Sequence, residues 1–225
     1  MSHDPNETFI TQDGSSSLMS GKFGEAYHSR YGAIEESQHV FIDAGLKFLL
    51  SKNKKELNLL EIGFGTGLNA LLTLMESKRE STFINYHAVE AYPISIAEAK
   101  SLNYSELLLT PNIEFIQLHD YQWNIEHKVS EHFKFTKYQS DFESFYSSVK
   151  YDLIYFDAFA PSIQPHLWEY DFLSSIYDIC NQDAALVTYC AKGSFKRALK
   201  KCGFKLESLP GPAKKREMTR AIKIT

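Results

Sequence analysis

Cysteine is scarce in this chain. Its 225 residues hold three, Cys180, Cys190 and Cys202. The number is odd and the spacing is not that of a zinc site, which leaves no disulfide framework and no metal-binding motif. They read as reduced core thiols of a cytoplasmic protein. No apolar run approaches the ~18 residues of a membrane span. The opening "MSHDPNETFITQDG" has neither a basic start nor an apolar stretch, so it is not a secretory signal. Repeats are absent, and low complexity is limited to "GSSS" at 14–17. No nucleophile elbow and no cluster of metal ligands appears.

What is present is ordinary in bulk and uneven in detail. Hydrophobic residues make up 44% and charged residues 23%, the composition of a globular domain. The length suits one domain with a modest extension. Net charge is −4. Yet residues 192–223 carry 11 Lys/Arg against two acids, Glu207 and Glu217, while the remainder holds 13 basic and 26 acidic residues. The C-terminal quarter is a basic face on an acidic body: either a solvated helix and tail, or a surface for a polyanion.

The periodicities alternate. Residues 8–20 read as two short strands around Asp13-Gly14. A helical stripe runs over 37–52, and "SKNKKE" is a polar linker. "LNLLEIGFG", "FINYHAVEA", "FKFTKYQSD", "YDLIYFDAF" and "AALVTYCA" read as buried strands. Helices are predicted after Leu68, over "SIAEAKSLNYSELLL", over 111–131, over 165–181, and in "SFKRALKKCG", which Gly203 ends. Two last strands flank the "PGP" turn. Strands alternating with helices imply an α/β fold, a mostly parallel seven-stranded sheet with helices on both faces and a small N-terminal extension. Ligands of such sheets bind beyond the carboxyl ends of the strands.

The candidates sit there. In "EIGFGTGLN" the glycines Gly63, Gly65 and Gly67 allow a sharp turn and close approach to a ligand, ahead of a helix whose first N–H groups are free. The dinucleotide fingerprint fails, because Leu68 stands three residues after Gly65. The spacing instead resembles the acid-x-Gly-x-Gly-x-Gly loop of class I S-adenosylmethionine-dependent methyltransferases, with Glu61 as the acid; a purely structural turn is the alternative. Glu90 ends the second strand, where an acid can accept ribose hydroxyls, or is simply solvated. Asp141 ends the third, as an adenine contact or a helix N-cap. Asp157 ends the fourth, as a cap or as an acceptor for an attacking amine.

"FGEAYHSRYGAIEESQHVF", "EIGFGTGLN", "VEAYP", "SDFESF", "YFDAFAPSIQPHLW" and "GPAKKREM" occur in that order. Together they resemble the methyltransferase domain of the MnmC-type tRNA wobble-uridine modification enzymes, over roughly residues 8–224. The resemblance implies a Rossmann-like class I methyltransferase fold. It implies S-adenosylmethionine as cofactor, and methyl transfer to the primary amine of 5-aminomethyl-2-thiouridine in the tRNA anticodon. Residues 1–56 would form a hairpin and helix covering the site, and 57–225 the methyltransferase domain. Carried over by position, Gly63, Gly65 and Gly67 would line the methionine end of the cofactor. Glu90 would hold its ribose and Asp141 its adenine side. Asp157 would orient the amine or take its proton, with Phe159, Ala160 and Pro161 shaping the pocket. Tyr27, Ser29, Glu35 and Glu36 would pack over the cofactor, and Lys214, Lys215 and Arg216 would contact tRNA phosphates.

The family's pattern is not matched throughout. Ala158 stands where some relatives have glycine, and "GAIEES" carries one residue more than the related "GLEET". The bifunctional members continue into a flavin-dependent domain, so a chain ending at Thr225 is expected to be the stand-alone form, with no flavin domain in this chain, no metal and no membrane. Two other functions compete: a methyl- or aminopropyl-transferase acting on a small soluble amine, and a binding module that kept the fold without catalysis. The +9 segment disfavours the first, and the intact loop with Glu90 and Asp157 disfavours the second.

Overall fold

The computed structural model describes residues 5–213 and 215–224. A hairpin comes first, β1 (Glu7–Ile10) paired antiparallel with β2 (Ser16–Met19). Asp13 at its tip accepts from the Thr11 hydroxyl at 2.7 Å and from the Ser15 N–H at 2.9 Å. Its other oxygen accepts the Glu35 N–H at 3.0 Å, tying the hairpin to the next helix. That helix is α1 (Ala33–Ser37), a π-wound stretch Gln38–Lys47, and α2 (Phe48–Leu50). Gly45 lets it lie flat on the sheet, because a Cβ there would stand 2.9 Å from Val187.

The alternating part follows as β3 (Glu56–Ile62), α3 (Leu68–Glu80), β4 (Phe83–Glu90), α4 (Ile96–Lys100), α5 (Tyr104–Leu107) and α6 (Asn112–Asp120). Then come β5 (His127–Ser130), β6 (Phe133–Gln139), β7 (Tyr151–Phe156), α7 (Tyr170–Ile179), β8 (Cys180–Thr188), α8 (Gly193–Cys202), β9 (Phe204–Pro210) and β10 (Glu217–Lys223). The sheet order is β5-β6-β4-β3-β7-β8-β10-β9. β6, β4, β3, β7 and β8 are parallel; β10 runs against both its neighbours, and β5 against β6. Helices cover both faces, so the central strands are largely buried on both sides. β7 is buried at all six positions.

Three expectations are corrected. The sheet has eight strands rather than seven. The additional one lies inside 111–131, where α6 ends at Asp120 and β5 pairs with β6 at the sheet edge. The helix expected over 95–109 is broken in two. Asn103 turns its side chain to the hairpin, accepting from the Ser16 N–H at 2.7 Å and donating to the Gly14 carbonyl at 3.0 Å. At Asn103 a partner distant in sequence overrides the local period, and at 127–130 it is the pairing with the neighbouring edge strand β6. The three cysteines are free, and Cys202 is only half-buried. Among the described residues no helix is long and apolar enough to cross a membrane, and no group of three or more His, Cys, Asp or Glu is placed to hold a metal.

Candidate active site

The carboxyl ends of β3, β4 and β7 open onto a cavity of about 300 Å³. That is the lower end of the range for small-molecule sites, ~300–1,000 Å³. Its floor is the loop between β3 and α3. Gly63 takes a φ of 94°, and a Cβ there would lie 2.6 Å from the Asp157 carbonyl oxygen. Only glycine lets the two strand ends come this close. The loop is pinned from outside. His28 Nε2 and the Thr66 hydroxyl are 2.7 Å apart, and His119 Nε2 donates to the Thr66 carbonyl at 3.1 Å. Burial pushes both imidazoles down to about 4, so they are neutral hydrogen-bonding groups here.

Glu90 ends β4 and is 7% exposed. One carboxylate oxygen accepts the Gly65 N–H at 2.9 Å and the other the Tyr92 N–H at 2.7 Å. Burial raises its proton affinity and these backbone donors oppose the rise. Each oxygen keeps a lone pair, and the residue lines the cavity.

Asp157 extends β7 by one more pairing, its N–H donating to the Ile62 carbonyl at 2.9 Å. Its side chain lines the cavity. Burial, and then the Glu36 carboxylate, push it up to about 7, against the Asn69 amide and Lys215. The loop after it is held at several points. Tyr189 OH donates to the Ala158 carbonyl at 2.8 Å, the Phe159 N–H to Gln164 Oε1 at 3.0 Å, and Trp168 Nε1 to the Phe159 carbonyl at 2.9 Å. "QPHLW" therefore acts as the brace of "DAFAP".

The wall opposite comes from the N-terminal segment. Tyr27, His28, Ser29 and Glu36 line the cavity. The Tyr27 and Phe159 rings meet edge-on at 5.1 Å, and Phe23 packs on Phe159 at 4.8 Å and on Tyr92 at 5.6 Å. Glu36 accepts the Ser29 N–H at 2.9 Å and is ion-paired with Lys215, whose ammonium also lies 4.5 Å over the Tyr189 ring.

The structure thus brings Gly63, Gly65, Glu90, Asp157, Phe159, Tyr27 and Lys215 around one cavity, and sets other expected residues apart. Gly67 caps α3 in the left-handed region, φ 74°, behind the wall. Glu61 is fully buried beneath the cavity, accepting from Tyr86 OH at 2.8 Å and from Asn69 Nδ2 at 2.9 Å. Its side chain does not line the cavity. Asp141 is exposed past β6 at the N-cap position of a short 3-10 turn, makes no capping hydrogen bond with its side chain, and its neighbour Phe142 lines the cavity instead. Glu35 is exposed on α1, one helical step from Glu36. Pro161 is half-buried off the wall, Arg216 is exposed, and Lys214 falls outside the described residues. Asn69, Gln164, Tyr189 and Phe23 escaped sequence reasoning. Asn69 alone left a signal, a polar residue within the apolar stripe of "GLNALLTL".

The residues fit S-adenosylmethionine. A loop with no side chains at Gly63 and Gly65, a buried carboxylate at Glu90 and an adjoining apolar wall at Phe142 and Leu68 suit an aminoacyl end, a ribose and a base.

Comparison with known proteins agrees. Residues 90–224 match the model of a family described as S-adenosyl-L-methionine-dependent methyltransferase. A tRNA 5-methylaminomethyl-2-thiouridine biosynthesis bifunctional protein MnmC from Leptospira interrogans serogroup Icterohaemorrhagiae serovar copenhageni is 30% identical over 213 residues, 89% of this chain and 33% of that protein. The protein of the same name from Marinomonas sp. is 30% identical over 220 residues, 89% of this chain and 31% of that protein. This chain spans about one third of the length of these relatives. The crystal structure of MNMC2 from Aquifex aeolicus superposes with a TM-score of 0.80 at 26% identity, over 97% of this chain and 70% of that one. With the family model covering more than half of its length, this chain belongs to the S-adenosyl-L-methionine-dependent methyltransferases.

Proposed function

We propose that this protein methylates the aminomethyl nitrogen of 5-aminomethyl-2-thiouridine at the tRNA wobble position. The observation that carries the reading is Asp157: a carboxylate poised near neutrality, at the end of β7, on the wall of the cavity that the glycine loop floors. The bound cofactor supplies an activated methyl group on a sulfonium. Glu90 accepts hydrogen bonds from its ribose hydroxyls, and Gly63 and Gly65 bare the backbone to its aminoacyl end.

The acceptor amine is the harder problem. An alkylamine has a pKa near ~10, like lysine, and only its neutral form has a lone pair to attack with. Asp157 accepts an N–H of the amine and takes up its proton, a task suited to a group near the working pH. The Phe23, Phe159 and Tyr92 rings at the mouth offer faces against which an unpaired nucleobase stacks. Lys215, Arg216 and Lys214, with the basic face of α8, would meet tRNA phosphates. Residues 1–56 would act as the cover of the site. A tRNA substrate places the work in the cytoplasm. The MnmC relatives' printed names support the choice of substrate.

The test offers labelled S-adenosylmethionine with undermodified tRNA against a panel of polyamines. Label is expected in the tRNA, at a single nucleoside. Label entering only polyamines would end the tRNA reading in favour of a small-amine transferase.

A further inference from the structure

Asn69 is the second residue of α3, 3% exposed, and one side-chain amide of it serves two carboxyls. Nδ2 donates to Glu61 Oε1 at 2.9 Å and to Asp157 Oδ2 at 2.9 Å. An amide nitrogen has two hydrogens, and both are used. The other end of the amide is idle: Oδ1 is buried with no hydrogen-bond partner. An unmet buried acceptor costs stability, so the position is not arranged for stability alone. Turned by half a rotation, the amide would set its oxygen against the Asp157 oxygens and lose that bond whenever Asp157 is charged. Charged Asp157 therefore locks the amide one way round, with Glu61 accepting its second hydrogen. Glu61 is held in turn, since its other oxygen accepts Tyr86 OH at 2.8 Å from a ring with no exposure. A chain of contacts, Tyr86 to Glu61 to Asn69 to Asp157, runs from the core to the cavity wall.

We infer that Asn69, anchored by Glu61, is a positioning residue that fixes the direction of the Asp157 carboxylate and favours its charged form. The inference rests on the reading of Asp157 as the amine's acceptor. One donor hydrogen held on Oδ2 leaves Oδ1 as the freer oxygen for an amine N–H. The other groups facing Asp157 are Glu36 from α1, which raises its proton affinity, Lys215 from the β9–β10 turn, which lowers it, and Tyr189 after β8. Glu61 lies behind Asn69.

The test reads Asp157 directly. Side-chain carboxyls of the full chain are labelled with carbon-13 and titrated by NMR, the Asp157 signal being assigned by its loss in Asp157→Asn. In Asn69→Leu, of similar shape, and in Asn69→Ala, the Asp157 midpoint is expected to rise by about one pH unit, the worth of one hydrogen bond to a carboxylate. Glu61→Leu is expected to raise it less, and Glu61→Gln, whose amide oxygen still accepts from Asn69, to restore it. A wild-type midpoint in an Asn69 variant that folds and binds S-adenosylmethionine overturns the inference. So does failure of both Asn69 variants to fold, which would make the residue structural. With active enzyme, the acidic limb of the rate profile follows the midpoint. If the wild type methylates no tRNA, the substrate reading fails while the titration still decides the role of Asn69.

Discussion

β3 and β7 lie side by side, run the same way and each deliver a carboxyl to the same helix, yet the two carboxyls differ in kind. Glu61 pairs in register with Tyr155, two residues before Asp157 on the neighbouring strand. Both share the sheet face that α3 covers, and both accept from Asn69. Glu61, closed in by Tyr86, keeps its proton to well above the usual carboxylate range because burial penalises its charge. Asp157 lies one step further out, beside a glycine with no side chain to fill the space, and meets the cavity. An acid near the end of a buried strand is thus not a site by itself. The depth of one residue pair separates a closed-in anchor from a carboxyl on the cavity wall.

The largest effect that would break this contrast is at Asp157. Asp157→Asn is expected to cost methyl transfer ~10²–10⁴-fold, the worth of a general base, while calorimetry finds S-adenosylmethionine still bound. Loss of that binding in a folded variant would make Asp157 a cofactor ligand. Next comes Glu90→Ala, which strands the N–H groups of Gly65 and Tyr92. S-adenosylmethionine affinity by calorimetry is expected to fall ~10–100-fold, at roughly 1.4 kcal/mol per decade for lost charged hydrogen bonds.

Smaller effects sharpen the contrast. Glu36 and Lys215 act on Asp157 with opposite sign. Glu36→Gln is expected to move the acidic limb of the rate profile to lower pH, and Lys215→Ala to higher pH; shifts in the same direction would remove the pair from the electrostatics of the site. At Glu61 the readout is stability. Its folded pKa is raised, so its contribution is fully present below the unfolded value of 4.5 and is lost as pH rises toward the folded one. In Glu61→Gln this loss is absent, and Tm relative to wild type is expected to climb with pH above about 4.5 in thermal scans. A pH-independent difference would mean that Glu61 is ionised in the fold. Smallest is the basic rim: if Lys215 and Arg216 meet tRNA phosphates as proposed, Arg216→Ala and Lys215→Ala are each expected to flatten the log–log salt slope of tRNA binding by ~0.7–0.9. Lys215 must also leave Glu36 to make such a contact.

The site was legible in part, and the division follows the range of the forces. Gly63, Gly65, Glu90 and Asp157 stand at strand ends, and strand ends show as breaks in a local period. Asn69 could not be assigned from its own neighbourhood, since the carboxyl that gives it meaning is 88 residues away. Choosing between Glu35 and Glu36 required packing, because neighbours on a helix differ by about 100° in direction. Asp141 looked like a third acid of the set and stands outside it.

By itself the amino-acid order determined the alternating α/β layout, the glycine floor and the end of the sheet at which ligands are met. These rest on hydrophobic period and backbone sterics, which act over a few residues. Only the tertiary structure decided that α6 stops and β5 pairs with the sheet edge, that Asn103 breaks a helix to hold the hairpin, and that Glu61 lies below Asn69 while Asp157 lies above. Those outcomes depend on burial, on a sheet edge that exists only once β6 has joined β4, and, at Asn103 and Asn69, on hydrogen-bond partners drawn from distant parts of the chain.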